Sequence, residues 1–338
     1  IRGEKLRKNK PLCVEVFRGS VVENRHFIDV CVCDAEGKVV FAYGDYEEKI
    51  FPRSAIKPFQ TIPLISVLNE KKVSQRLKGE EIAIITGSHN GEKEHIETVR
   101  KLLEKYQIKE NLLCCGAHWS LNYSVAEKQM LDIKIPTNVM SNCSGKHAGM
   151  LILSKVLGAP LKNYLEQTHV VQQRILGICE LFLGKSIPNA NISTDGCGAP
   201  TFAGPLGNWA RAYALLADTK YLPDEVAKAS LALISSVANN PFYLAGSNRL
   251  CSVLNNHFKG DIFGKSGAEG CYGCSLKNLG LGLTLKCRDG SKRGAEVALG
   301  YILKKLGYAV PNKLNSFFSP QVKTFAGEKV GVIKIKED

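Results

Sequence analysis

The segment LCVEVFRGSVVENRHFIDVCVCDAEGKVVFAY, residues 12–43, carries the clearest fold signal in the chain. Its apolar and β-branched residues predict three strands, at 12–18, 26–33 and 37–43. The turn sequence DAEG at 34–37 joins the last two strands and is typical of a hairpin. Near the other end, VGVIKIK (330–336) predicts a closing strand. We therefore expect a mainly antiparallel sheet built from both ends of the chain.

Helical patterns dominate the middle of the chain. Apolar side chains fall on one helical face in 92–106, and similar patterns recur at 147–157, 160–183, 206–218, 223–238 and 292–306. The short apolar run EIAIITG (81–87) instead predicts a buried strand, and another strand pair is expected near 261–264 and 281–287. Together these patterns predict an α/β (α+β) fold, with flanking helices and a helix-rich lobe on the sheet.

The domain organisation follows from the absence of any linker, repeat or low-complexity segment in the sequence. Residues 1–338 are therefore expected to form a single domain. Loops at 186–204 and 257–274 are rich in Gly, Pro and Ser, and we interpret them as site loops. Hydrophobic residues make up 44% and charged residues 23%, which excludes a disordered chain.

The charge balance raises the question of an anionic partner. Lys and Arg number 45 and Asp and Glu 32, so the net charge is +13. The basic residues are spread out and no nucleic-acid-binding motif accompanies them, so we expect no nucleic-acid partner. No apolar run approaches the length of about 18 residues that spans a membrane, so no membrane partner is expected. The basic start IRGEKLRKNK (1–10) precedes only a short, interrupted apolar run, which predicts no secretory signal and a cytoplasmic location.

The 12 cysteines are too dilute for a disulfide scaffold in a chain of 338 residues. Several lie in strand-like runs, as in FIDVCVCD, where a thiol behaves as a small apolar group. This usage favours a reducing compartment. Cys271-x-x-Cys274 lacks the second pair of a zinc knuckle, so we interpret it as structural.

RSAIKPFQ (53–60) contains the first motif that bears on chemistry, Ser54-x-x-Lys57. Residues three apart share one face of a helix, so the Lys57 amine can lie beside the Ser54 hydroxyl. A serine hydroxyl attacks well only when a base removes its proton. Lysine serves as that base when it is uncharged, a state that burial or a second nearby cation favours.

Two further motifs follow in order. Ser88-His89-Asn90 lies in TGSHNGE (86–92), and Lys265-Ser266-Gly267 lies in FGKSGAEGC. Lys265 could orient a substrate carboxylate and depress the pKa of Lys57 by repulsion of like charges. The three motifs match the signature of the serine β-lactamase and penicillin-binding fold, a group that includes serine-dependent glutaminases. The backbone N–H groups of Ser54 and Ala268 are then candidate donors to an oxyanion.

A possible metal site lies between the second and third motifs. SNCSGKHAGM (141–150) and STDGCGAP (193–200) each contain a cysteine flanked by glycine and polar residues. From residue type alone we select Cys143, His147 and Cys197 as zinc ligands, with Asp195 as a fourth ligand or a neighbour of the ligands. Two buried structural cysteines are an equally good interpretation of the spacing.

Five strings now support a resemblance to a family: RSAIKPFQ (53–60), TGSHNGE (86–92), NCSGKHAGML (142–151), STDGCGAPTFA (193–203) and GKSGAEG (264–270). Together they resemble the Rhizobium etli-type L-asparaginases of the asparaginase II family, over nearly the whole chain. The resemblance implies a serine β-lactamase/glutaminase-like fold, a homodimer, and hydrolysis of L-asparagine to L-aspartate and ammonia by one catalytic domain, 1–338.

The resemblance also implies roles for individual residues. Ser54 matches the nucleophile and Lys57 its partner, while Ser88 and Lys265 match the other groups of a linked Ser-Lys arrangement. One zinc ion per chain would lie near the catalytic serine.

By the same match, the zinc ligands are Cys143, Lys146 and Cys197 with water, so that Lys146 replaces His147 in the set chosen from residue type. His147 and Asp195 then become candidates for substrate contact or for support of the ligands. Arg53, Lys265 and Glu269 are candidates for binding the α-carboxylate and α-ammonium groups of the substrate.

Three alternatives remain open at this point. A penicillin-binding or β-lactam-hydrolysing enzyme shares the serine motifs but leaves Cys143 and Cys197 unexplained. A glutaminase or another amidohydrolase of this fold would use the same chemistry on a different amide. A non-enzymatic zinc- or nucleic-acid-binding module is favoured only by the net charge.

Overall fold

The computed structural model describes the backbone of residues 6–8 and 10–336, and the side chains of 10–336. Most of the basic start of the chain, from which we predict that no secretory signal is present, lies outside the described residues, as do 337 and 338. The bounds of the described strands are β1 (Leu6–Lys8), β2 (Leu12–Arg18), β3 (Val21–Asp34), β4 (Val39–Tyr43), β5 (Lys49–Ile50), β6 (Ile192–Thr194), β7 (Pro200–Phe202), β8 (Gly204–Pro205), β9 (Ile262–Ser266), β10 (Cys271–Leu276), β11 (Leu281–Cys287), β12 (Gln321–Lys323) and β13 (Lys329–Ile335).

The helices alternate with these strands along the chain. Their bounds are α1 (Lys57–Glu70), α2 (Gly79–Thr86), α3 (Lys93–Lys105), α4 (Tyr123–Asp132), α5 (Ser144–Val156), α6 (Val170–Leu183), α7 (Leu206–Ala217), α8 (Asp224–Asn239), α9 (Pro241–Ala245), α10 (Leu250–Phe258), α11 (Lys292–Lys305) and α12 (Asn315–Phe318). Among the described residues, no helix combines the length and the apolar character needed to cross a bilayer.

One large sheet has the strand order β12-β13-β2-β3-β11-β10-β9, with β4 also paired to β3. The pairs from β12 to β10 are antiparallel, and β1 lies parallel to β4. The predicted hairpin is therefore confirmed in β3 and β4, and the closing strand is confirmed as β13 beside β2. These elements confirm the predicted fold class, a mainly antiparallel sheet combined with many helices.

The chain divides into two compact units. The first combines the described parts of Ile1–Ala55, Gly204–Asp218 and Gly264–Asp338, and the second combines Ile56–Ala203 with Thr219–Phe263. The single domain over residues 1–338 stays a prediction.

In the first unit, helices α7 and α11 pack on opposite faces of the sheet. Gly282 of β11 lies against the backbone of α7, whereas Cys287 of the same strand faces Gly294 of α11. Because side chains alternate between faces along a strand, positions five apart point to opposite sides. The sheet is thus covered by a helix on each side, and its core side chains are removed from water.

The second unit is helical, and α2 lies at its centre. Helix α2 packs against α1, α3, α5, α8 and α9. Gly145 and Gly149 of α5, one turn apart, lie against Ile84 and Ile85 of α2 without room for a side chain. This close approach brings the start of α5 near the end of α2.

The strand predicted at 81–87 is wrong, because these residues belong to helix α2. Ile82, Ile84 and Ile85 are all buried, since helices surround α2 on several sides. A helix that is apolar all round lacks the one-sided pattern from which helices are predicted. The Glu81 carboxylate accepts the Lys78 backbone N–H at 2.7 Å and caps the helix start.

Other boundaries also differ from the predictions, and the strand expected at 26–33 begins already at Val21. The helix expected over 160–183 begins only at Val170, where the His169 side chain accepts the Val171 N–H as a cap. Residues 271–274, the end of the loop predicted at 257–274, belong instead to the buried strand β10. Strand β10 separates β9 from β11, so the strands near 261–264 and 281–287 are not neighbours.

We predict that Gly282→Ala lowers the free energy of unfolding by about 2–3 kcal/mol, because overpacking against rigid atoms is destabilising. A Cβ at this position would lie 2.0 Å from the Ala210 carbonyl oxygen and 2.2 Å from the Ala214 nitrogen, both backbone atoms of α7. Urea denaturation measures the change.

The matched control is Gly177→Ala in α6, where a Cβ would meet nothing within 4 Å. This change should stabilise by roughly 0.5–1 kcal/mol, since alanine is the better helix former. Equal stability of the Gly282→Ala variant and the unmodified protein would contradict the packing of α7 on β11.

Candidate active site

The predicted site residues fall into two sets, one in each compact unit. In the second unit, Lys57 is the first residue of α1, and its side chain is fully buried. Its Nζ donates to the Gly87 carbonyl oxygen at 2.5 Å and to the Asn142 carbonyl oxygen at 3.4 Å. Burial lowers the pKa of Lys57, because a charged amine loses hydration there. Two backbone carbonyl oxygens therefore fix the position of this amine, and its buried surroundings disfavour the charged form.

The loop that contains Ser88 begins where α2 ends. Gly87 follows the last residue of α2, and the Ser88 N–H donates to the Leu244 carbonyl oxygen at 2.8 Å. Ser88, His89 and Asn90 are all buried. The sequence correctly placed this motif at the end of an apolar element, although the element is a helix and not a strand.

Cys143, Lys146 and Cys197 lie together in the second unit, and we call them the Cys143 cluster. Cys143 immediately precedes α5, and Lys146 lies in its first turn. The Lys146 Nζ lies 2.9 Å from the Cys197 Sγ, and the two cysteine side chains are hydrogen-bonded. All three side chains are buried.

The charges of the Cys143 cluster are strongly coupled. The hydrogen bond from Cys197, with help from the amines of Lys57 and Lys146, holds the pKa of Cys143 well below its usual value. Burial acts to lower the pKa of Lys146, but the Cys143 and Cys197 sulfurs and the Asp195 carboxylate raise it above its usual value. Without a metal, the cluster therefore pairs a thiolate with an ammonium group.

The donor set of the Cys143 cluster fits a zinc ion. Two sulfurs and one amine nitrogen, buried and in mutual contact, are soft and borderline donors of the kind that zinc prefers. Binding would replace the proton on the Lys146 amine and the proton shared by the two thiols. Cys143, Lys146 and Cys197 would hold the ion.

His147 follows Lys146 and points to a different partner. Its Nδ1 lies 2.7 Å from the Tyr164 hydroxyl, which also accepts the Cys114 backbone N–H at 3.0 Å. Its buried Nε2 has no hydrogen-bond partner among the residues that the structure describes. Burial holds the pKa of His147 well below its usual value, so the ring is uncharged. A neutral ring with one unused nitrogen suits contact with a substrate or a water molecule.

In the first unit, Ser54 lies in the 3-10 turn Arg53–Ile56. The Ala55 N–H donates to the Pro52 carbonyl oxygen at 3.1 Å, and the buried Tyr213 hydroxyl donates to the Ala55 carbonyl oxygen at 2.7 Å. The turn that carries Ser54 is thus fixed from both sides.

The Lys265 motif packs against this same turn. A Cβ on Gly267 would lie 2.1 Å from the Pro52 carbonyl oxygen, so only glycine fits here. Lys265 on β9 is buried, and its Nζ donates to the Ser266 carbonyl oxygen at 2.8 Å. Within the first unit, the structure therefore brings together the Ser54 turn and the segment 265–267.

A cavity of about 720 Å³ opens beside these residues in the first unit. Arg53 and Glu269 line it, with their charged ends 3.9 Å apart. Both residues have left-handed backbone angles, with φ of 51° and 56°, which is uncommon and strained for residues other than glycine. Among its charged side chains, the cavity thus presents a cationic and an anionic group side by side.

Several residues of the two sets were not predicted. Asn142 acts through its backbone carbonyl oxygen and Tyr164 through its buried hydroxyl. Tyr213 acts through a hydrogen bond to Ala55, which is distant in sequence. Asp29 and Arg288 line the cavity as an ion pair at 2.7 Å. Asn142 lies in the string 142–151 but acts through its backbone, and the other four residues belong to none of the chemical motifs. Only the folded chain therefore reveals these contacts.

The sequence profile of the L-asparaginase II family matches residues 14–335. A match over nearly the whole chain assigns the protein to the amidohydrolases, enzymes that cleave an amide bond with water. The chain belongs to the L-asparaginase II family.

Solved structures also resemble the chain. The crystal structure of Mglu in its native form has a TM-score of 0.46 and 14% identity, covering 83% of this chain and 65% of that one. The chain therefore spans about two thirds of the length of Mglu. A β-lactamase from Mycobacterium bovis has a TM-score of 0.43 and 12% identity, with 82% of this chain and 94% of that one covered. The comparison with curated protein sequences finds no match.

We predict that Tyr164→Phe lowers the free energy of unfolding by about 1–3 kcal/mol. The change leaves the Cys114 N–H and the His147 Nδ1 without their shared hydroxyl. Tyr123→Phe is the control, because the Tyr123 side chain is exposed and its change should cost less than about 0.5 kcal/mol. Equal effects of the two changes in urea denaturation would contradict the role of the Tyr164 hydroxyl.

Proposed function

We propose that this protein hydrolyses L-asparagine to L-aspartate and ammonia, as a Rhizobium etli-type L-asparaginase whose single catalytic domain covers residues 1–338. The proposal rests on membership of the L-asparaginase II family over residues 14–335. The observation that carries it furthest is the full burial of Lys57, three residues after Ser54. A surface lysine three residues from a serine would be ordinary, whereas a buried one needs a reason.

In the proposed mechanism, Ser54 is the nucleophile and Lys57, uncharged, is the base. Lys57 takes the hydroxyl proton while the Ser54 oxygen attacks the side-chain amide carbon of asparagine. The backbone N–H groups of Ser54 and Ala268 stabilise the oxyanion. Ammonia leaves with a proton returned from the linked Ser-Lys network, to which Ser88 and Lys265 contribute. Water then releases aspartate from the acyl-enzyme.

Substrate recognition in this proposal uses paired charges. Free asparagine carries an α-carboxylate and an α-ammonium group, and the cavity of the first unit holds Arg53 beside Glu269. Arg53 would bind the carboxylate and Glu269 the ammonium group, with Lys265 as a further candidate for the carboxylate. His147 and Asp195 are proposed to contact the amide end of the substrate or to support the Cys143 cluster.

The Cys143 cluster is proposed to hold one zinc ion per chain. When bound, the ion would supply a Lewis acid able to polarise a carbonyl group. We also propose a homodimer in the cytoplasm, on the resemblance to Rhizobium etli-type enzymes. The dilution of the 12 cysteines along the sequence is what supports a reducing compartment.

We predict that Ser54→Ala reduces ammonia release from asparagine by a thousandfold or more, a rough figure for loss of a nucleophile. Zinc content and circular dichroism should stay unchanged. Ser74→Ala, which alters an exposed serine, is the control and should keep full activity. Wild-type activity in the Ser54→Ala protein would rule out Ser54 as the nucleophile.

Assays with glutamine under the same conditions test the glutaminase alternative. Glutamine is one methylene longer than asparagine, and one methylene changes the free energy of binding by about 1–3 kcal/mol.

We predict that Cys197→Ser removes one zinc ion per chain, measured by elemental mass spectrometry after dialysis. Serine is a much poorer zinc ligand than cysteine. Cys114→Ser is the control, because the Cys114 side chain is exposed and outside the Cys143 cluster. Unchanged zinc content in the Cys197→Ser protein would contradict the proposed metal site, whatever the activity.

A further inference from the structure

The first unit contains a second cluster of metal-binding side chains, to which the proposed function gives no role. His26 lies on β3, Cys287 is the last residue of β11, and Asp289 follows in the next turn. One ligand atom from each lies within 4.8 Å of the other two. His26 and Cys287 are buried and Asp289 is exposed, so the cluster has one face toward solvent. We call these residues the His26 cluster.

Asp289 connects the other two residues of the His26 cluster. Its Oδ2 lies 2.6 Å from the His26 Nδ1, and its Oδ1 accepts the Cys287 S–H at 2.9 Å. The Ser291 backbone N–H donates to the same Oδ1 at 3.0 Å, which fixes the carboxylate in the turn. Arg293 donates to the His26 Nε2 at 3.1 Å, so the Nδ1 carries the ring proton toward Asp289.

The fold itself brings these residues together. The Gly290 N–H donates to the Cys287 carbonyl oxygen at 3.0 Å and closes the turn from 287 to 290. Strand β11 pairs with β3, and Cys287 lies opposite Ile28, so His26 is two residues beyond on the same face. Gly294 of α11 covers this point, where a Cβ would lie 2.8 Å from the His26 Cβ and 3.1 Å from the Cys287 Sγ.

We propose that the His26 cluster is a second zinc site, in which His26, Cys287 and Asp289 bind one Zn²⁺ ion and water completes the coordination. Sulfur, imidazole nitrogen and carboxylate oxygen are the three ligand types that zinc takes in proteins. The bound ion would link the turn 287–290 to β3, and its role would be to stabilise this part of the fold. The proposal is independent of the asparaginase activity.

The ligand atoms need to move little to bind the ion. Ligands at zinc distances in a tetrahedron lie about 3.5 Å apart. The hydrogen-bonded pairs at 2.6 and 2.9 Å would open slightly, and the remaining separation of up to 4.8 Å would close. The Cys287 proton goes to solvent and the sulfur binds the ion, while the His26 proton moves from Nδ1 to Nε2.

Arg293 opposes metal binding in this geometry. Its N–H points at the His26 Nε2, which must carry a proton once Nδ1 binds the ion. Arg293 also places a positive charge beside a divalent cation. The Arg293 side chain is exposed, so it can turn into solvent when the metal binds. Its removal should therefore strengthen the site, which a purely structural hydrogen-bond network would not do.

The test uses the full chain with Cys143→Ser and Cys197→Ser, which removes the Cys143 cluster. Titration with ZnCl₂ by calorimetry, with CoCl₂ absorption as a thiolate signature, should show one bound ion per chain. Adding Cys287→Ser should abolish the cobalt–thiolate band. Asp289→Asn, which changes an exposed carboxylate and spares the core, should weaken zinc binding at least tenfold.

Two further variants decide the outcome. Arg293→Gln should tighten zinc binding by roughly tenfold, because it removes both the charge and the competing donor. Cys13→Ser, a change at a half-buried cysteine outside the His26 cluster, should leave binding unchanged. Three results would overturn the proposal. They are no bound zinc in the protein that lacks the Cys143 cluster, zinc binding that survives both Cys287→Ser and Asp289→Asn, and no gain in zinc affinity in the Arg293→Gln protein. Because activity is not measured, loss of the proposed asparaginase function would not affect this result.

Discussion

The full burial of the Lys57 amine is the constraint on which the second unit depends. A buried amine without hydrogen-bond acceptors costs several kcal/mol, so its acceptors must be held in place. The Gly87 carbonyl oxygen comes from the end of α2 and the Asn142 carbonyl oxygen from the residue before Cys143. The start of α1, the end of α2 and the start of α5 are therefore fixed around one nitrogen atom. The close packing of α5 glycines on α2, which is surrounded by helices, holds these acceptors in position.

The two sets of site residues differ in chemistry. The second unit contributes amines, thiols and an uncharged imidazole, all of them buried. The protonation of each of these groups depends on its neighbours. The first unit contributes a hydroxyl on a fixed turn and an open cavity with a guanidinium group beside a carboxylate. Buried groups of this kind suit proton transfer and metal binding, whereas exposed paired charges suit recognition of a zwitterion. The proposed hydrolysis of free asparagine would use both.

Local patterns in the sequence predicted much of the sheet but less of the helical unit. Strands β2, β4 and β13 have apolar alternation and turn residues, so their positions followed directly. Strand β3 was predicted only from residue 26, because its first residues, from Val21, are polar or at least partly exposed. The run EIAIITG gave the wrong element, because an all-round apolar helix and a buried strand look alike over seven residues. The start of α6 was placed ten residues early because residues 161–168, which form turns, and the His169 cap lie inside a stretch that otherwise resembles a helix.

The candidate site was predictable where short motifs carry it and not elsewhere. Residue type pointed to Cys143 and Cys197, and the resemblance put Lys146 in the place of His147. The structure brings the side chains of Cys143, Lys146 and Cys197 into contact. The partners of Lys57 and His147 could not be found in the same way, because they are backbone oxygens and a tyrosine far along the chain. The His26 cluster was missed for the same reason, since His26 lies more than 260 positions before Cys287 and Asp289 and meets them only through the pairing of β3 with β11.

The most direct measurement is acid quenching of the enzyme during turnover of asparagine, followed by peptide mass spectrometry. If the buried Lys57 amine activates Ser54, the peptide that contains Ser54 carries an aspartyl group in the wild-type protein, and Lys57→Met shows none. An active wild-type enzyme without that adduct, or an equal adduct in the Lys57→Met protein, would contradict the role of this amine.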